Sequence, residues 1–241
     1  KDYPNEPLLY NISGACYKEI GQLDDAAKSF EKAVTLKPDY VEAQYNLGVV
    51  FRELGQVDAA IKSYENAIAI KHAYPNVHNN LGNIFLELNQ LKPAVDHFEW
   101  AVAYSPEFDT AHNNLGSTLL ALGQVDAAVE SYEKALAINP DYAEAHNNLG
   151  IALHRLGKID AAVESYEKAL AVNPDYAEAH NNLGNAFKGL GQLDTAVKSF
   201  EKALAINPDY SNAHNNLGII FKELGQLDAA VESYKKALAV N

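Results

Sequence analysis

The chain has 241 residues, of which 48% are hydrophobic and 21% charged, so its composition is that of a folded chain rather than a disordered one. Its formal charge of −13 argues against nucleic acid or an anionic membrane surface as the main partner, because both repel an acidic protein. Cys16 is the only cysteine, which excludes an intramolecular disulfide, and with neither a membrane span nor a signal peptide in view we expect a cytoplasmic protein.

After a polar lead at residues 1–6, the sequence repeats itself every 34 residues. The motif His-Asn-Asn-Leu-Gly occurs five times at this interval, and looser versions stand at residues 44–48 and 10–14. With the motif glycine taken as position 8, the units are residues 7–40, 41–74, 75–108, 109–142, 143–176, 177–210 and 211–241. A fixed period of this length indicates an array of small supersecondary units rather than a single globular domain.

The unit at residues 143–176 shows why each repeat is predicted to be a helical hairpin. Apolar or small residues fall three and four apart from Ala143 to Leu156 and again from Asp160 to Val172, which is the period of a helix with one buried face. Gly157 separates the two stretches. Each hairpin is too small to bury its apolar face alone, so the units are expected to stack on their neighbours as a solenoid.

The ends of these helices also carry signals. Pro174 disfavours a helical conformation at the residue before it, so the second helix is expected to stop there. Asp175 and Glu178 have the spacing of a capping box, which predicts that Asp175 caps the next first helix. Asp160 suits the start of the second helix, by capping or by its attraction to the helix dipole.

Several positions are constant across the array and indicate close packing. Position 8 is always Gly, positions 20 and 27 are always Ala, and position 24 is always aromatic. Cys16 falls at position 10, where other repeats carry Val, Ile, Thr or Ala, so we expect it to be buried. Trp100 replaces the Lys that is usual at position 26, so it is expected to be exposed on the outer side.

The pattern of Leu at position 7, Gly at 8, Ala at 20, an aromatic residue at 24, Ala at 27 and Pro at 32 resembles the tetratricopeptide repeat, over residues 7–241. The resemblance implies an all-α, right-handed superhelix of seven helix-turn-helix repeats. Departures are His at position 4 in five repeats, Ser13 at position 7, His72 for the proline, and, in the third repeat, Asn89 for the turn glycine with Pro93 following. Because the chain stops one residue before the seventh proline, without a polar capping helix, we expect it to be a fragment of a longer protein.

The sequence contains no pattern typical of a catalytic or metal-binding site. The recurring histidines are one repeat apart, about 8–10 Å for packed helices, which is too far to share a metal ion at about 2.1 Å. They are expected to fill space in place of an aromatic residue. The sequence has no glycine-rich phosphate loop, nucleophile elbow or Cys–His pair, so we predict no enzyme activity and no cofactor for these residues.

The asparagines at positions 5 and 6 are the best candidates for function, since Asn is a mediocre helix former. We call the position-6 set the asparagine ladder: Asn46, Asn80, Asn114, Asn148, Asn182 and Asn216. A carboxamide can pair with both the N–H and the C=O of a peptide group. Rungs about 10 Å apart would match about three residues of an extended chain. Alternatively, these amides bond between adjacent repeats, or repeat duplication simply preserved them.

The asparagine ladder resembles that in the repeat domain of O-linked N-acetylglucosamine transferases, which holds an extended peptide by its backbone. In the tetratricopeptide family the first helix lines the groove through positions 2, 5, 6, 9, 12 and 13. Tyr45 replaces the position-5 Asn of the second repeat and is expected to face the groove near Arg52. The carboxylate clamp of chaperone adaptors needs Lys at position 5, which no repeat has, so a free C-terminal carboxylate is not the expected target.

The sequence therefore predicts a protein–protein interaction module that binds an extended peptide in its groove through the asparagine ladder and Tyr45. Two alternatives stay open. The array could present substrates within a larger repeat-linked transferase, or it could associate end to end as a scaffold.

Overall fold

The computed structural model describes residues 6–240, and that range forms fourteen α-helices and no strand. The helices are α1 (Pro7–Glu19), α2 (Leu23–Leu36), α3 (Val41–Glu53), α4 (Val57–Ile70), α5 (Pro75–Glu87), α6 (Leu91–Tyr104), α7 (Asp109–Ala121), α8 (Val125–Ile138), α9 (Ala143–Arg155), α10 (Ile159–Val172), α11 (Ala177–Gly189), α12 (Leu193–Ile206), α13 (Ser211–Glu223) and α14 (Leu227–Val240). They divide into two compact units, Lys1–Ala111 and His112–Asn241. The helix-turn-helix order confirms the predicted all-α solenoid class with seven repeats.

Within each unit, the second helix of one repeat packs against the first helix of the next. Tyr64 of α4 is fully buried in a cluster with Leu81 of α5, and Phe200 of α12 is buried with Leu217 of α13. Burying large aromatic rings in this way is the main favourable contribution to stacking, since a single hairpin leaves its apolar stripe in water. In both hairpins the aromatic residue at position 24 lies in the contact between the repeats.

The constant glycine at position 8 leaves room for that aromatic ring. A Cβ atom built on Gly150 would lie 2.5 Å from Cε1 of Tyr166, and the other position-8 glycines meet their own ring at 2.6–2.7 Å. Real Cβ atoms do not approach so closely, and Tyr166 is only 2% exposed, so the ring has nowhere to move. The predicted close packing at position 8 is confirmed, and its cause is the neighbouring ring.

The turn between the two helices of a repeat requires a left-handed residue. Gly157 has φ +74°, and the N–H of Lys158 bonds to the carbonyl of Leu153 at 3.0 Å, which closes the end of α9. Asn89 takes the same role in the third repeat with φ +57°. Asn is the residue that tolerates this conformation best after Gly, so the turn survives the substitution.

The predicted capping box is wrong. α11 begins at Ala177, its capping position is occupied by Tyr176, and no side chain caps it. Asp175 lies one residue before the capping position. Its backbone N–H donates to Oδ1 of Asn173 at 3.2 Å in a tight turn, so this N–H is not available to Glu178. Asp160 stands in the first turn of α10, where a charge–dipole attraction remains but no side-chain cap forms.

Cys16 is exposed, which corrects the expectation that it is buried. In later repeats the residue at position 10 packs on the preceding second helix; Val50, for example, is buried with Phe30 of α2. Among residues 6–240, no helix packs on that side of α1, and the same position is exposed there. Trp100 is 46% exposed, which confirms the expectation for position 26.

Candidate functional site in the asparagine ladder

The asparagine ladder joins neighbouring repeats by side-chain hydrogen bonds. Nδ2 of Asn182 donates to Oδ1 of Asn147 at 3.0 Å, and Asn147 is the position-5 residue of the preceding repeat. The same bond recurs with nearly constant geometry: Asn46 to Asn11 at 3.1 Å, Asn148 to Asn113 at 3.1 Å and Asn216 to Asn181 at 3.0 Å. Each bond spans 35 residues, that is one repeat plus one.

The two asparagines of each bond lie in different surroundings. All six ladder residues are partly exposed, whereas four of the six position-5 asparagines, Asn79, Asn113, Asn147 and Asn181, are buried. The expectation that position 5 lines the groove is therefore wrong for these four residues, and for Asn113, Asn147 and Asn181 the next repeat provides the cover. The ladder itself keeps contact with solvent.

One of the buried asparagines, Asn113, makes further bonds through its own amide nitrogen. Nδ2 of Asn113 lies 3.3 Å from Oε1 of Glu144 and 3.5 Å from the hydroxyl of Tyr142. In the next repeat, burial and then the carboxylate of Glu178 raise the pKa of the Tyr176 hydroxyl to about 12, so this phenol stays protonated. The contact between neighbouring repeats is thus polar and includes the Glu144 carboxylate, and the bonds of Asn113 on that side hold the residue that accepts the ladder bond from Asn148.

Tyr45 interrupts this arrangement in the second repeat. Its ring is half-buried and lies 5.4 Å from the ring of Tyr74 and 6.1 Å from that of Tyr64, measured between centroids. Since no position-5 amide is available here, Nδ2 of Asn80 donates to the Tyr64 hydroxyl at 3.2 Å. Arg52, expected beside Tyr45, forms an ion pair with Glu87.

The position-4 histidines have a role that the sequence did not reveal. Nε2 of His146 lies 2.8 Å from the carbonyl oxygen of Pro140, and the same contact joins His180 to Pro174 at 3.0 Å. A carbonyl only accepts, so the Nε2–H donates. Each histidine therefore fastens its first helix to the turn six residues earlier, besides filling space. The constant six-residue separation of Pro and His is the feature of the sequence from which this contact could have been predicted.

A histidine pair in the third repeat has the most perturbed titration among the described histidines. Nδ1 of His78 lies 3.1 Å from Nδ1 of His97, and Nε2 of His78 contacts the carbonyl of His72 at 3.1 Å. Burial, and then the neighbouring His78, lower the pKa of His97 to about 4. His78 must donate from Nε2, so its Nδ1 accepts the proton of His97, and both rings are neutral at pH 7.

The first helices of the unit His112–Asn241 also line a cavity of about 370 Å³. We call the surface made by positions 6, 9, 12 and 13 of these helices the inner face. Its lining residues are Ile151, His154, Arg155, Tyr166, Asn182, Asn185, Lys188 and Gly189. With the exception of the ring of Tyr166, all of them occupy inner-face positions. One ladder amide, that of Asn182, therefore lies in a cavity with basic side chains.

A larger cavity, of about 720 Å³, lies on the other side of α11 against the second helices α10 and α12. Its charged lining is mixed, with Glu167 and Asp175 beside Lys198 and Lys202. Within residues 6–240, no three His, Cys, Asp or Glu side chains are placed to hold a metal ion, and no helix has the length and apolar character needed to cross a bilayer.

Comparison with known protein families agrees with the repeat fold described above. The family model described as "Cilia and flagella-associated protein 70 C-terminal domain" matches residues 39–239, and a model described as "TPR repeat" matches residues 14–51. The peroxisomal targeting signal receptor of Kluyveromyces lactis is 37% identical over 46 residues, a stretch that covers 19% of this chain and only 8% of the receptor.

Solved structures show the same fold. A tetratricopeptide repeat protein from Parabacteroides merdae superposes with a TM-score of 0.76 at 18% identity, over 98% of this chain and 93% of its own. YrrB, described as a TPR protein with an unusual peptide-binding site, gives a TM-score of 0.67 at 24% identity, over 78% of this chain and 96% of its own. The repeat fold is in general a non-catalytic module for protein–protein interaction. From the repeat pattern, the fold and the match over residues 39–239, the chain belongs to the tetratricopeptide-repeat family described as the cilia and flagella-associated protein 70 C-terminal domain.

Proposed function

We propose that the inner face binds an extended segment of another protein, with the asparagine ladder pairing to the main chain of that segment. The observation that supports the proposal is that, in the bonds of Asn148 and Asn182, the two asparagines differ in role: one is buried and accepts, and the other is partly exposed and donates. The buried position-5 residue accepts one N–H of the ladder amide, which orients the amide while the ladder residue stays partly exposed. A carboxamide has two N–H donors and an acceptor oxygen, so one donor and the oxygen are outside this bond.

Preorganisation makes this arrangement suitable for binding. An amide that is already held in place loses little rotamer freedom when a ligand arrives, and such ordering otherwise costs about 0.5–1.5 kcal/mol per side chain. Bonds to the main chain carry no information about the ligand's side chains, so the ladder favours broad specificity. The relatives support this reading, since YrrB is described as having a peptide-binding site and the Kluyveromyces lactis protein as a receptor for a targeting signal.

The ladder's structural role complicates the simple test, because Asn182→Ala removes an inter-repeat bond as well as a ligand contact. A matched comparison separates the two. The double variant Asn148→Ala/Asn182→Ala lacks the exposed amides, whereas Asn113→Ala/Asn147→Ala keeps them and lacks their buried acceptors, together with the bonds of Asn113 to Glu144 and Tyr142. We expect calorimetry with extended peptides to show a loss of affinity of about ten-fold or more in the first variant and a much smaller loss in the second.

Far-UV circular dichroism and urea unfolding control for folding in both variants. If both variants bind peptides equally after correction for stability, the asparagines hold the array together and do nothing else. Tyr45 belongs to the same proposed site, and Tyr45→Asn should restore the regular ladder bond to Asn80. The cytoplasmic location and a catalytic domain elsewhere in a longer protein stay predictions; the second is tested by reading the full open reading frame.

Self-association is a second candidate, favoured by exposed apolar side chains. Leu227, Val231 and Leu238 of α14 are exposed, with Leu238 at 75%, although the residues at the same positions of α12 are partly buried against α13. A second copy could cover this face with its α1, which exposes Leu8 and Ile12. Light scattering over a concentration series should then show growing particles, and a constant monomer mass would exclude this function.

A further inference from the structure

The inner-face cavity between the fifth and sixth repeats carries only positive charge. Its ionisable basic groups are those of Arg155, Lys188 and His154, and no Asp or Glu belongs to its lining. This is unusual in a chain with a formal charge of −13. Arg155 and Lys188 stand in the last turns of α9 and α11, where the helix dipole favours a cation. Their presence alone therefore does not indicate a ligand.

The first three repeats show what normally accompanies a cation at position 12. Lys18 lies 3.5 Å from Glu53, and Arg52 pairs with Glu87. In both cases the carboxylate comes from position 13 of the following repeat, 35 residues later. At these positions each basic side chain therefore already has its anion.

The fifth and sixth repeats lack this compensation. The residue 35 positions after His154 is Gly189, which has no side chain, and Arg155 itself occupies a position that holds Glu in four other repeats. Glu223 stands at the corresponding position for Lys188, yet the ion pairs found among residues 6–240 do not include Lys188.

The guanidinium of Arg155 is nevertheless fixed in place. Its Nη1 donates to the carbonyl oxygen of Leu120 at 3.2 Å, which ties it to the end of α7. A guanidinium has five N–H donors, so this bond leaves most of its capacity for an anion. The cavity of about 370 Å³ also contains the amides of Asn182 and Asn185, which can donate to the same anion.

We propose that this cavity binds the carboxylate of a glutamate or aspartate side chain, carried by the extended segment that the asparagine ladder holds. The inference rests on the proposed function, because Asn182 belongs to both the ladder and the cavity. The negative charge of the chain as a whole opposes acidic segments, so one compensating site fixes where along the groove an acidic residue is accepted. The outer cavity, with two acidic and two basic side chains, offers no such preference.

The test uses two pools of peptides of about twelve residues, each labelled with an uncharged dye. Their sequences are randomised among Ala, Ser, Thr, Leu and Val. One pool has Glu fixed at two central positions and the other has Gln. At pH 8 and low salt, fluorescence anisotropy should show an affinity about five-fold higher for the Glu pool. Lys188→Ala should reduce this preference to less than about two-fold, whereas Lys202→Ala, on the outer side, should leave it unchanged.

Substitutions at Gly189 test the role of charge more directly. A Cβ atom built there meets nothing within 4 Å, and its backbone φ is not in the left-handed region, so a side chain can be added without strain. Gly189→Glu places a carboxylate where Glu53 and Glu87 stand in the early repeats, and it should abolish the preference for the Glu pool. Gly189→Gln adds the same volume without charge and should lower the preference much less.

The outcomes distinguish the two proposals. If both pools bind equally and Asn148→Ala/Asn182→Ala weakens both, the ladder binds peptides but the carboxylate inference is wrong. If neither pool binds at millimolar concentration, both proposals are wrong. A Glu preference that Gly189→Glu and Gly189→Gln lower equally would show that the added volume matters and the charge does not, which also overturns the inference.

Discussion

Gly150→Ala should destabilise the array, although alanine is the better helix former. The new Cβ atom would lie 2.5, 2.7 and 2.9 Å from three ring carbons of Tyr166, about 1 Å inside the optimal separation of carbon atoms. Overpacking a rigid core in this way costs about 1–3 kcal/mol. The gain in helix propensity returns about 1 kcal/mol, so we expect a net loss of up to about 2 kcal/mol.

The assay is urea unfolding followed by circular dichroism, with two other glycines as controls. Gly189→Ala adds a Cβ atom to open space in a helix and should raise the midpoint of unfolding. Gly157→Ala also meets no atom but has φ +74°, so it should lower the midpoint through backbone strain alone. If Gly150→Ala raised the midpoint as Gly189→Ala does, the ring would not be the reason for glycine at position 8.

A double-mutant cycle with Tyr166→Leu isolates the contact itself. Removing the ring should make the alanine at position 150 much less costly, giving a coupling free energy of about 1 kcal/mol or more between the two sites. Additive effects would contradict the proposed clash.

Two further predictions concern titration and a turn. Between about pH 6.5 and pH 4, wild type should lose about 1 kcal/mol more stability than His97→Asn, measured as the shift in urea midpoint. The reason is that the pKa of about 4 lies below the unfolded value, so the unfolded chain binds a proton that the folded one does not; an equal pH dependence would contradict this. Asn89→Gly should preserve or raise stability, whereas Asn89→Ala should cost about 1 kcal/mol because of its φ of +57°, and identical melting curves for the two variants would show that this turn is unstrained.

The sequence predicted well those features that depend on one hairpin or on strict periodicity. The helices, the turn residues and the crowded position 8 all follow from patterns within 34 residues, because each is determined by local geometry and one neighbour. The burial of Asn147 was missed because its cover is the next repeat, and the exposure of Cys16 was missed because consensus positions describe interior repeats. The capping box failed because a local Asx turn competed for the backbone N–H of Asp175.

The candidate site was only partly predictable for a related reason. The residue types at positions 5 and 6 suggested pairing with peptide groups, but a hydrogen bond that spans 35 residues cannot be seen in a helical wheel. It could have been found by aligning each repeat with the next at an offset of one residue. The same offset reveals the ion pairs of Lys18 and Arg52, and it also reveals the missing carboxylate at Gly189.

The 35-residue span of the ladder bond has a consequence for how such an array can change length. Removing residues 143–176 as a whole would bring Asn182 opposite Asn113, the same donor and acceptor types that meet in the present chain. Loss of this complete repeat therefore keeps the Asn113 acceptor paired, whereas a cut of any other size at this place would break the bond. Such an array can change its length by whole repeats. Each repeat gained or lost changes the number of ladder asparagines by one.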